Sequence, residues 1–259
     1  MPEIMLYISI FCVGICIGSF LNVCIYRIPA QKSIIYPGSA CPFCKTPIRF
    51  YDNIPIFSYL IIRGRCRHCK ASIAIRYPLI ELLGGLIALC IVLKFGLSLS
   101  ALSYFVFAMA LLVITFIDID HQIIPNEISL PGIPLGFIFS FFIPTITPIE
   151  SLVGIIAGGG GLWGVATIYL MLTRREGMGF GDVKLLAMMG AFIGWKGVLV
   201  TIFAASAIGT IVGIAAMLKS RKDMKMAIPF GPFLSIGAMI YLFFGERIIN
   251  WYINGGTPV

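Results

Sequence analysis

Residues 99–117 read LSALSYFVFAMALLVITFI, an apolar run without a single charged side chain. A helix of this length rises about 28 Å, close to the ~30 Å thickness of the hydrocarbon core of a bilayer. The run therefore predicts a membrane-spanning helix. Asp118, which follows it directly, is predicted to lie where that helix leaves the membrane.

The rest of the chain repeats this pattern. Hydrophobic residues make up 59% of the 259 residues, charged residues make up 12%, and the mean hydropathy is +1.00. Breaks at Gly, Pro or charge separate eight apolar segments. These are residues 5–26, 77–95, 99–117, 127–144, 150–173, 183–195, 198–218 and 229–249. The predicted fold class is all-α, a polytopic transmembrane helical bundle of about eight spans.

Two segments need separate treatment. Residues 183–195 would rise only about 20 Å as a helix, so this segment must tilt, begin earlier near Gly179, or lie partly buried. Residues 5–26 are not preceded by Lys or Arg, as the apolar core of a secretory signal would be, and Arg27 follows them. We expect a retained first span with its N-terminus outside.

The basic residues predict the orientation, because Lys and Arg near span ends tend to stay cytoplasmic. With eight spans and the N-terminus outside, sixteen of the 19 Lys and Arg residues are cytoplasmic. Nine of them lie in the loop after the first span, and the others are Arg174, Arg175, Lys184, Lys219, Arg221, Lys222 and Lys225. Only Lys94, Lys196 and Arg247 fall outside. This bias explains the net charge of +8 without a nucleic-acid partner.

Eight cysteines divide into two groups. Cys12, Cys16, Cys24 and Cys90 lie in apolar runs, where a thiol behaves as a small hydrophobic group. The other four form two Cys-x-x-Cys pairs in the first polar loop, Cys41 with Cys44 and Cys66 with Cys69.

Two such pairs can supply the four thiolates of a tetrahedral zinc site with no open ligand position, which is typical of a structural site. Zinc would stabilise a loop of about fifty residues that is too small and polar to form its own core. Two disulfides are an alternative, disfavoured in the reducing cytoplasm, and a redox role is another. His68, between two of the ligands, is expected to be a solvated loop residue.

Acidic residues at span ends are the candidates for chemistry, since charge there is costly. Asp118 and Asp120 end the third span, and Asp182 opens the sixth after Gly177-Met178-Gly179-Phe180-Gly181. The orientation derived from Lys and Arg alone puts Asp118 and Asp182 at the same cytoplasmic face. Glu81 and Glu127 are further acids near that face.

Two carboxyl groups that meet in a poorly hydrated site share a proton. The ionised one can then deprotonate a water while the protonated one donates to a scissile carbonyl oxygen. Gly179 and Gly181 would let a helix or a substrate backbone approach Asp182 closely. The alternative is that Asp118 and Asp182 are helix-end acids in contact with solvent. Asp120 and His121 are read as interfacial. Ordinary loop or helix-end charges are Asp52, Glu150, Glu176, Asp223 and Glu246.

Together these motifs resemble the bacterial type IV prepilin peptidases, which are leader peptidases and N-methyltransferases. The match runs through Gly18-Ser19-Phe20-Leu21-Asn22-Val23, the tetracysteine loop, Arg76-Tyr77-Pro78-Leu79-Ile80-Glu81-Leu82, Ile117-Asp118 and Gly179-Phe180-Gly181-Asp182, in the family's order. One departure is visible, since the family commonly has Pro-Asp where this chain has Pro125-Asn126. The catalytic pair is not affected.

The resemblance implies Asp118 and Asp182 as catalytic aspartates, Asp120 as dispensable, and Cys41, Cys44, Cys66 and Cys69 as zinc ligands. It implies cleavage of the short basic leader of prepilins or pseudopilins at the cytoplasmic face of the bacterial inner membrane. It also implies methylation of the new N-terminal amine by S-adenosylmethionine, although the sequence contains no glycine-rich nucleotide loop that would bind this donor.

The predicted organisation has three parts: a first transmembrane helix at residues 1–27, a cytoplasmic zinc-binding loop at 28–76, and a transmembrane aspartyl peptidase core at 77–259. Three other functions use the same residues. They are a transporter or channel lined by the acids, a membrane redox protein using the cysteine pairs, and an assembly scaffold held by the zinc loop. The acids lie at one face rather than at the midplane, which favours the peptidase.

Overall fold

The computed structural model describes residues 2–174, 179–220 and 229–253, and within these ranges every regular element is helical. The α-helices are α1 (Pro2–Arg27), α2 (Phe57–Ile61), α3 (Arg76–Phe95), α4 (Leu99–His121), α5 (Asn126–Phe139), α6 (Pro148–Ile155), α7 (Gly161–Thr173), α8 (Phe180–Ser220) and α9 (Gly231–Ile253). A short 3₁₀ helix covers Phe50–Asn53, and a π-helical turn, Ile156–Gly160, joins α6 to α7. Arg175, Glu176, Gly177, Met178, Arg221, Lys222, Asp223 and Lys225 lie outside the described residues.

The chain divides into two compact units, Met1–Ala101 and Leu102–Val259. In the first unit α1 packs along α3. A Cβ built on Gly84 would lie 2.7 Å from the carbonyl oxygen of Gly14, so the two helix backbones touch at this crossing. Nearer the polar loop, the Asn22 side chain donates to the carbonyl oxygen of Tyr77 at 3.1 Å. These contacts hold the two helices that flank the loop.

The second unit is centred on α8, which packs against α5, α6 and α9. Its buried core includes Phe107 stacked on Phe192, with ring centroids 4.8 Å apart. The backbones of α6 and α8 also cross in direct contact, since a Cβ on Gly190 would lie 2.1 Å from the carbonyl oxygen of Gly154. Only glycine at this crossing allows so close an approach.

The chain changes direction inside α8. Gly194 has φ 67° and ψ 178°, a conformation that L-residues rarely adopt, and it divides α8 into a first arm, residues 180–193, and a second arm, residues 195–220. The first arm runs antiparallel to α6, because Leu186 meets Gly158 as Gly190 meets Gly154. The second arm runs antiparallel to α9. The two arms are therefore separate passes through the unit.

The eight apolar segments of the sequence all fall on helices, and a bundle of membrane-spanning helices is confirmed. Six helices of the described residues are long and apolar enough to cross a bilayer, so the number eight is approximate. The difference comes from α5, with only 14 residues, and from α8, whose two arms are counted as one helix. The helix that contains the short segment 183–195 begins at Phe180, before the apolar run. This agrees with the expected option of a start near Gly179.

We expect Gly190→Ala to destabilise the protein by roughly 1–3 kcal/mol, because the added methyl group would overlap backbone atoms that cannot rotate away. Gly164→Ala in α7 is the matched control, since a Cβ there meets no atom within 4 Å. It should be neutral or stabilising by up to ~1 kcal/mol through helix propensity. Thermal unfolding of both variants in one detergent measures the difference, and equal melting temperatures would contradict the α6–α8 crossing.

Candidate active site and metal centre

Asp118 lies in the last turn of α4 and is 5% exposed. Its Oδ2 accepts a hydrogen bond from the backbone N–H of Gly231, at 2.9 Å, where α9 begins. The first N–H groups of a helix have no partner within the helix and carry partial positive charge, so they stabilise a carboxylate. A Cβ on Gly231 would lie 2.6 Å from this oxygen, so only glycine leaves room for the carboxylate.

Asp182 lies in the first turn of α8 and is partly exposed. Its carboxyl group interacts electrostatically with that of Asp118. The structure therefore brings together two acids that stand 64 positions apart in the sequence, one at the end of a helix and one at the beginning of another. Asp182 is the more solvent-accessible of the two, and Asp118 is shielded from solvent.

The connection after α4 passes along the start of α8. Gln122, with φ 54°, ends α4 by donating its N–H to the carbonyl oxygen of Asp118 at 2.9 Å. Ile124 then lies against Gly181, where a Cβ would come within 3.1 Å of the Ile124 Cβ. Beyond it, Lys184 Nζ donates to the side-chain oxygen of Asn126. The glycine before Asp182 thus serves close packing against the α4–α5 connection.

The other acids singled out in the sequence have different surroundings. Asp120 and His121 are exposed on the last turn of α4, and Glu127 is exposed in the first turn of α5. Glu81 belongs to the first unit, is 8% exposed, and accepts the backbone N–H of Ile56 at 2.7 Å. Glu150 forms a capping box with Thr147 at the start of α6, which agrees with its reading as a helix-end charge.

Two interacting carboxyl groups, one of them largely removed from water, can act as a base and an acid toward a water molecule and a carbonyl group. Such a pair needs neither a metal ion nor a covalent intermediate for hydrolysis.

The four loop cysteines form one cluster in the first unit. All four Sγ atoms lie within 4.8 Å of one another, with Cys41 to Cys69 at 3.8 Å and Cys44 to Cys66 at 3.9 Å. Thiolates at 2.3 Å from a tetrahedral zinc ion would be separated by about 3.8 Å. A disulfide would need about 2.05 Å. The geometry fits a four-thiolate metal site rather than two disulfides.

Each Cys-x-x-Cys pair sits on a small turn that closes by its own hydrogen bonds. In the first turn, the N–H of Cys41 donates to the carbonyl oxygen of Thr46, and the N–H of Lys45 donates back to that of Cys41. Lys45 has φ 59°. The second turn repeats each of these features with Cys66, Lys70 and Ala71 in the corresponding places. The two turns therefore share the same backbone hydrogen-bond pattern.

The pKa values of two of the thiols are shifted in opposite directions. Hydrogen bonds from Thr46 lower the pKa of Cys44 to about 6. A hydrogen bond from Ala71 acts to lower the pKa of Cys69, but desolvation and the neighbouring thiols outweigh it and raise that pKa to about 11. Four thiols so close can all ionise only when a cation neutralises them, which is the electrostatic condition of a metal site. His68 is exposed, as expected.

Asp52 is more than an ordinary loop charge. Its carboxylate receives a bidentate pair of hydrogen bonds from Arg67, with a shortest distance of 2.6 Å, and this guanidinium lowers the pKa of Asp52. Arg67 also lies over the ring of Tyr51, 5.6 Å from its centroid. The 3₁₀ helix between the two cysteine pairs is thereby fastened to the second turn.

Sequence reasoning missed Gly231 as the partner of Asp118. The available signal was Pro229-Phe230-Gly231-Pro232 before the last apolar run, since Pro in a first helical turn marks a helix start with unpaired N–H groups. Nothing in the sequence indicates which acid those groups would meet.

The chain is similar to known proteins over nearly its whole length. The family model described as the bacterial peptidase A24 N-terminal domain matches residues 12–95, and that of the type IV leader peptidase family matches residues 105–214. Proteins named prepilin leader peptidase/N-methyltransferase are similar over nearly the whole chain. The one from Aeromonas hydrophila is 34% identical, covering 96% of this chain and 94% of the relative. Those from Stutzerimonas stutzeri and Pseudomonas aeruginosa are each 36% identical, covering 93% of this chain and 91% of the relative.

No solved structure matches the chain. The resemblance read from the motifs is confirmed by these matches.

The bond between Lys184 and Asn126 leads to a prediction about Asn126, where the family resemblance implied an acid. We expect Asn126→Asp to stabilise the protein by about 0.2–1 kcal/mol, because a carboxylate would turn the hydrogen bond to Lys184 into an ion pair. The gain should be smaller in high salt and absent in a Lys184→Met background. Melting temperatures of the single and double variants measure it, and a gain that survives Lys184→Met would refute the pairing.

Proposed function

The chain belongs to the type IV leader peptidase family, and on that premise we propose that it cleaves the leader of type IV prepilins or pseudopilins and N-methylates the residue exposed by cleavage. It is a membrane protein, and we propose the cytoplasmic face of the bacterial inner membrane as the place of both reactions. The relatives with these names match more than nine tenths of the chain, which supports both activities in the proposal.

Asp118 and Asp182 are the proposed catalytic pair. The observation that carries this assignment is their electrostatic interaction, made by acids at the ends of two different apolar helices. The α9 N-terminus favours a negative charge on Asp118 through the Gly231 N–H. Asp182, the more accessible of the two, is suited to contact water and substrate.

The proposed reaction uses one shared proton. The ionised carboxylate removes a proton from a water molecule, which attacks the carbonyl carbon, while the protonated carboxyl group donates to the carbonyl oxygen. The tetrahedral intermediate then collapses: the carboxyl group that took the water's proton gives it to the leaving amine, and the other carboxylate takes a proton from a hydroxyl group of the intermediate as the new carboxylic acid forms. Both carboxyl groups return to their starting states, so neither a covalent intermediate nor a metal ion is required.

The location of the pair agrees with the substrate. A prepilin is held by one apolar helix, and its scissile bond lies where that helix meets the cytoplasm. Asp118 ends α4 and Asp182 begins α8, so both acids belong to helix ends rather than to the middle of a span. A channel or transporter would need acids along its path, and neither this alternative nor a redox or scaffold function has support from the relatives.

The four cysteines are the proposed ligands of one structural zinc ion, which would supply only charge neutralisation and cross-linking of the two turns. S-adenosylmethionine is the proposed methyl donor, through the names of the relatives. We assign the methyl transfer to the part of the chain that includes the zinc loop, residues 28–76, and the peptide cleavage to residues 77–259.

Separate Asp118→Asn and Asp182→Asn variants should each lose cleavage of a prepilin-like substrate by at least about 10²-fold, because each removes one half of the acid–base pair. Asp120→Asn, an exposed acid two positions from Asp118, is the matched control and should retain activity. Cleavage rates are measured in detergent or lipid and compared only for variants whose melting temperature equals that of the wild-type protein. The assignment is wrong if either active-site variant cleaves like the control.

Serine at any one of Cys41, Cys44, Cys66 or Cys69 should release the zinc, because three thiolates no longer complete the tetrahedral site. Serine at Cys12, Cys16 or Cys90, which are exposed on the helices, should leave the metal bound. Elemental analysis of the purified protein gives the zinc content, and parallel assays should show methylation falling more than cleavage. Full methylation by a protein without zinc would contradict the structural role.

A further inference from the structure

The two cysteine turns share a backbone but differ in charge. Where the second turn carries Arg65 and Arg67, the first carries Ala40 and Pro42, as the equivalent β-bridges and hydrogen bonds align them. The first turn presents its two thiols to the shared site without arginines at these positions. The additional positive charge of the second turn needs another explanation.

The basic side chains line one groove of about 500 Å³ beside the second turn, with Arg63, Arg65, Arg67 and Lys70 on its walls. Arg67 is paired with Asp52. Within the part of the chain that the structure describes, the side chains of Arg63, Arg65 and Lys70 have neither a hydrogen bond nor an ion pair. One zinc ion and four thiolates would place a net charge of −2 beside these three cations, so the groove keeps an excess positive charge that favours an anionic ligand.

The groove is tied to the membrane by α3. The backbone N–H of Ile56, directly before α2, donates to Glu81 in the second turn of α3, at 2.7 Å. Cys69 is separated from Arg76, the first residue of α3, by only six residues, which can span no more than about 25 Å. The start of α2 is therefore held against α3, and the second cysteine turn lies within about 25 Å of the first residue of α3.

The short helix α2 presents apolar side chains at this level. Phe57, Leu60 and Ile61 are 60%, 65% and 73% exposed, and Ile61 also lines the groove. Apolar side chains next to cations at a membrane surface are the composition that binds anionic lipid, with the side chains among the acyl chains and the cations at the phosphates.

We propose that the groove formed by Arg63, Arg65 and Lys70 binds the phosphate of an anionic phospholipid and that α2 inserts its exposed apolar side chains beside that lipid. The lipid would dock the metal-binding loop on the membrane. The general preference of Lys and Arg for the cytoplasmic side accounts for their number in the loop but not for their convergence. The basic prepilin leader is excluded as the occupant by its charge. This inference does not depend on the proposed peptidase chemistry.

The test measures lipid retained by the purified full-length protein in a neutral detergent, with native mass spectrometry counting bound phosphatidylglycerol or phosphatidylcholine. The wild-type protein should retain phosphatidylglycerol preferentially. The triple variant Arg63→Gln, Arg65→Gln, Lys70→Gln should bind it about 100-fold more weakly, since each cation near an anionic surface contributes about fivefold. Lys70→Gln alone, at an exposed position, should lose about fivefold and keeps the test valid if the triple variant unfolds.

The matched control is the triple variant Lys32→Gln, Lys45→Gln, Arg49→Gln, which removes the same charge from the same loop. Lys45 has the place in the first turn that Lys70 has in the second. The affinity of this control variant for phosphatidylglycerol should stay within about twofold of the wild-type affinity. An equal loss in the control would mean diffuse attraction and would overturn the site. Equal retention of phosphatidylcholine would overturn the charge selectivity. If glycerol 1-phosphate displaced the bound phosphatidylglycerol at the same concentration as added phosphatidylglycerol does, the ligand of the groove would be a soluble anion and not a lipid.

Discussion

A carboxylate inside a bundle of apolar helices must find a partner, because an unpaired charge there costs several kcal/mol. Asp118 finds it in the N–H of Gly231 at the start of α9, and this one contact constrains the second unit. The last turn of α4 has to reach the first turn of α9, and residue 231 has to lack a side chain. Asp182 then approaches from the first turn of α8, which fixes where that helix begins. The acid pair is thus built by helix ends that converge, not by residues facing each other along helix sides.

The two polar centres of the chain follow different physical rules. The carboxyl pair belongs to the unit Leu102–Val259 and depends on long helices and close glycine packing. The thiol cluster belongs to the unit Met1–Ala101 and depends on two turns that each close within a few residues, with the salt bridge of Asp52 and Arg67 holding the chain between them. In the first centre, Asp118 is buried from water, whereas in the second centre a bound cation would stabilise the four thiolates by neutralising them. Perturbing one centre need not disturb the other.

Much of this organisation could be predicted from the sequence because the bilayer imposes a simple rule on length and polarity. The apolar runs predicted the helices, and the spacing of Cys41, Cys44, Cys66 and Cys69 predicted the thiol cluster. Acids at span ends singled out Asp118 and Asp182, whose catalytic role stays a prediction. The contacts that complete the sites could not be predicted. Asp118 and Gly231 stand 113 positions apart, and Arg67 reaches Asp52 across a loop without regular periodicity. The length of α5 and the reversal at Gly194 also depend on packing, which hydropathy does not record.

The local closure of the two cysteine turns has a consequence for how such chains can vary. Each turn is completed by hydrogen bonds within six consecutive residues, so the thiol geometry does not rely on the length of the stretch between them. Insertions and deletions on either side of the Asp52 anchor can accumulate there without disturbing ligand spacing. The length of the stretch between the turns is consequently constrained by the hydrogen bond between Ile56 and Glu81 and by α2, and not by the metal ligands themselves.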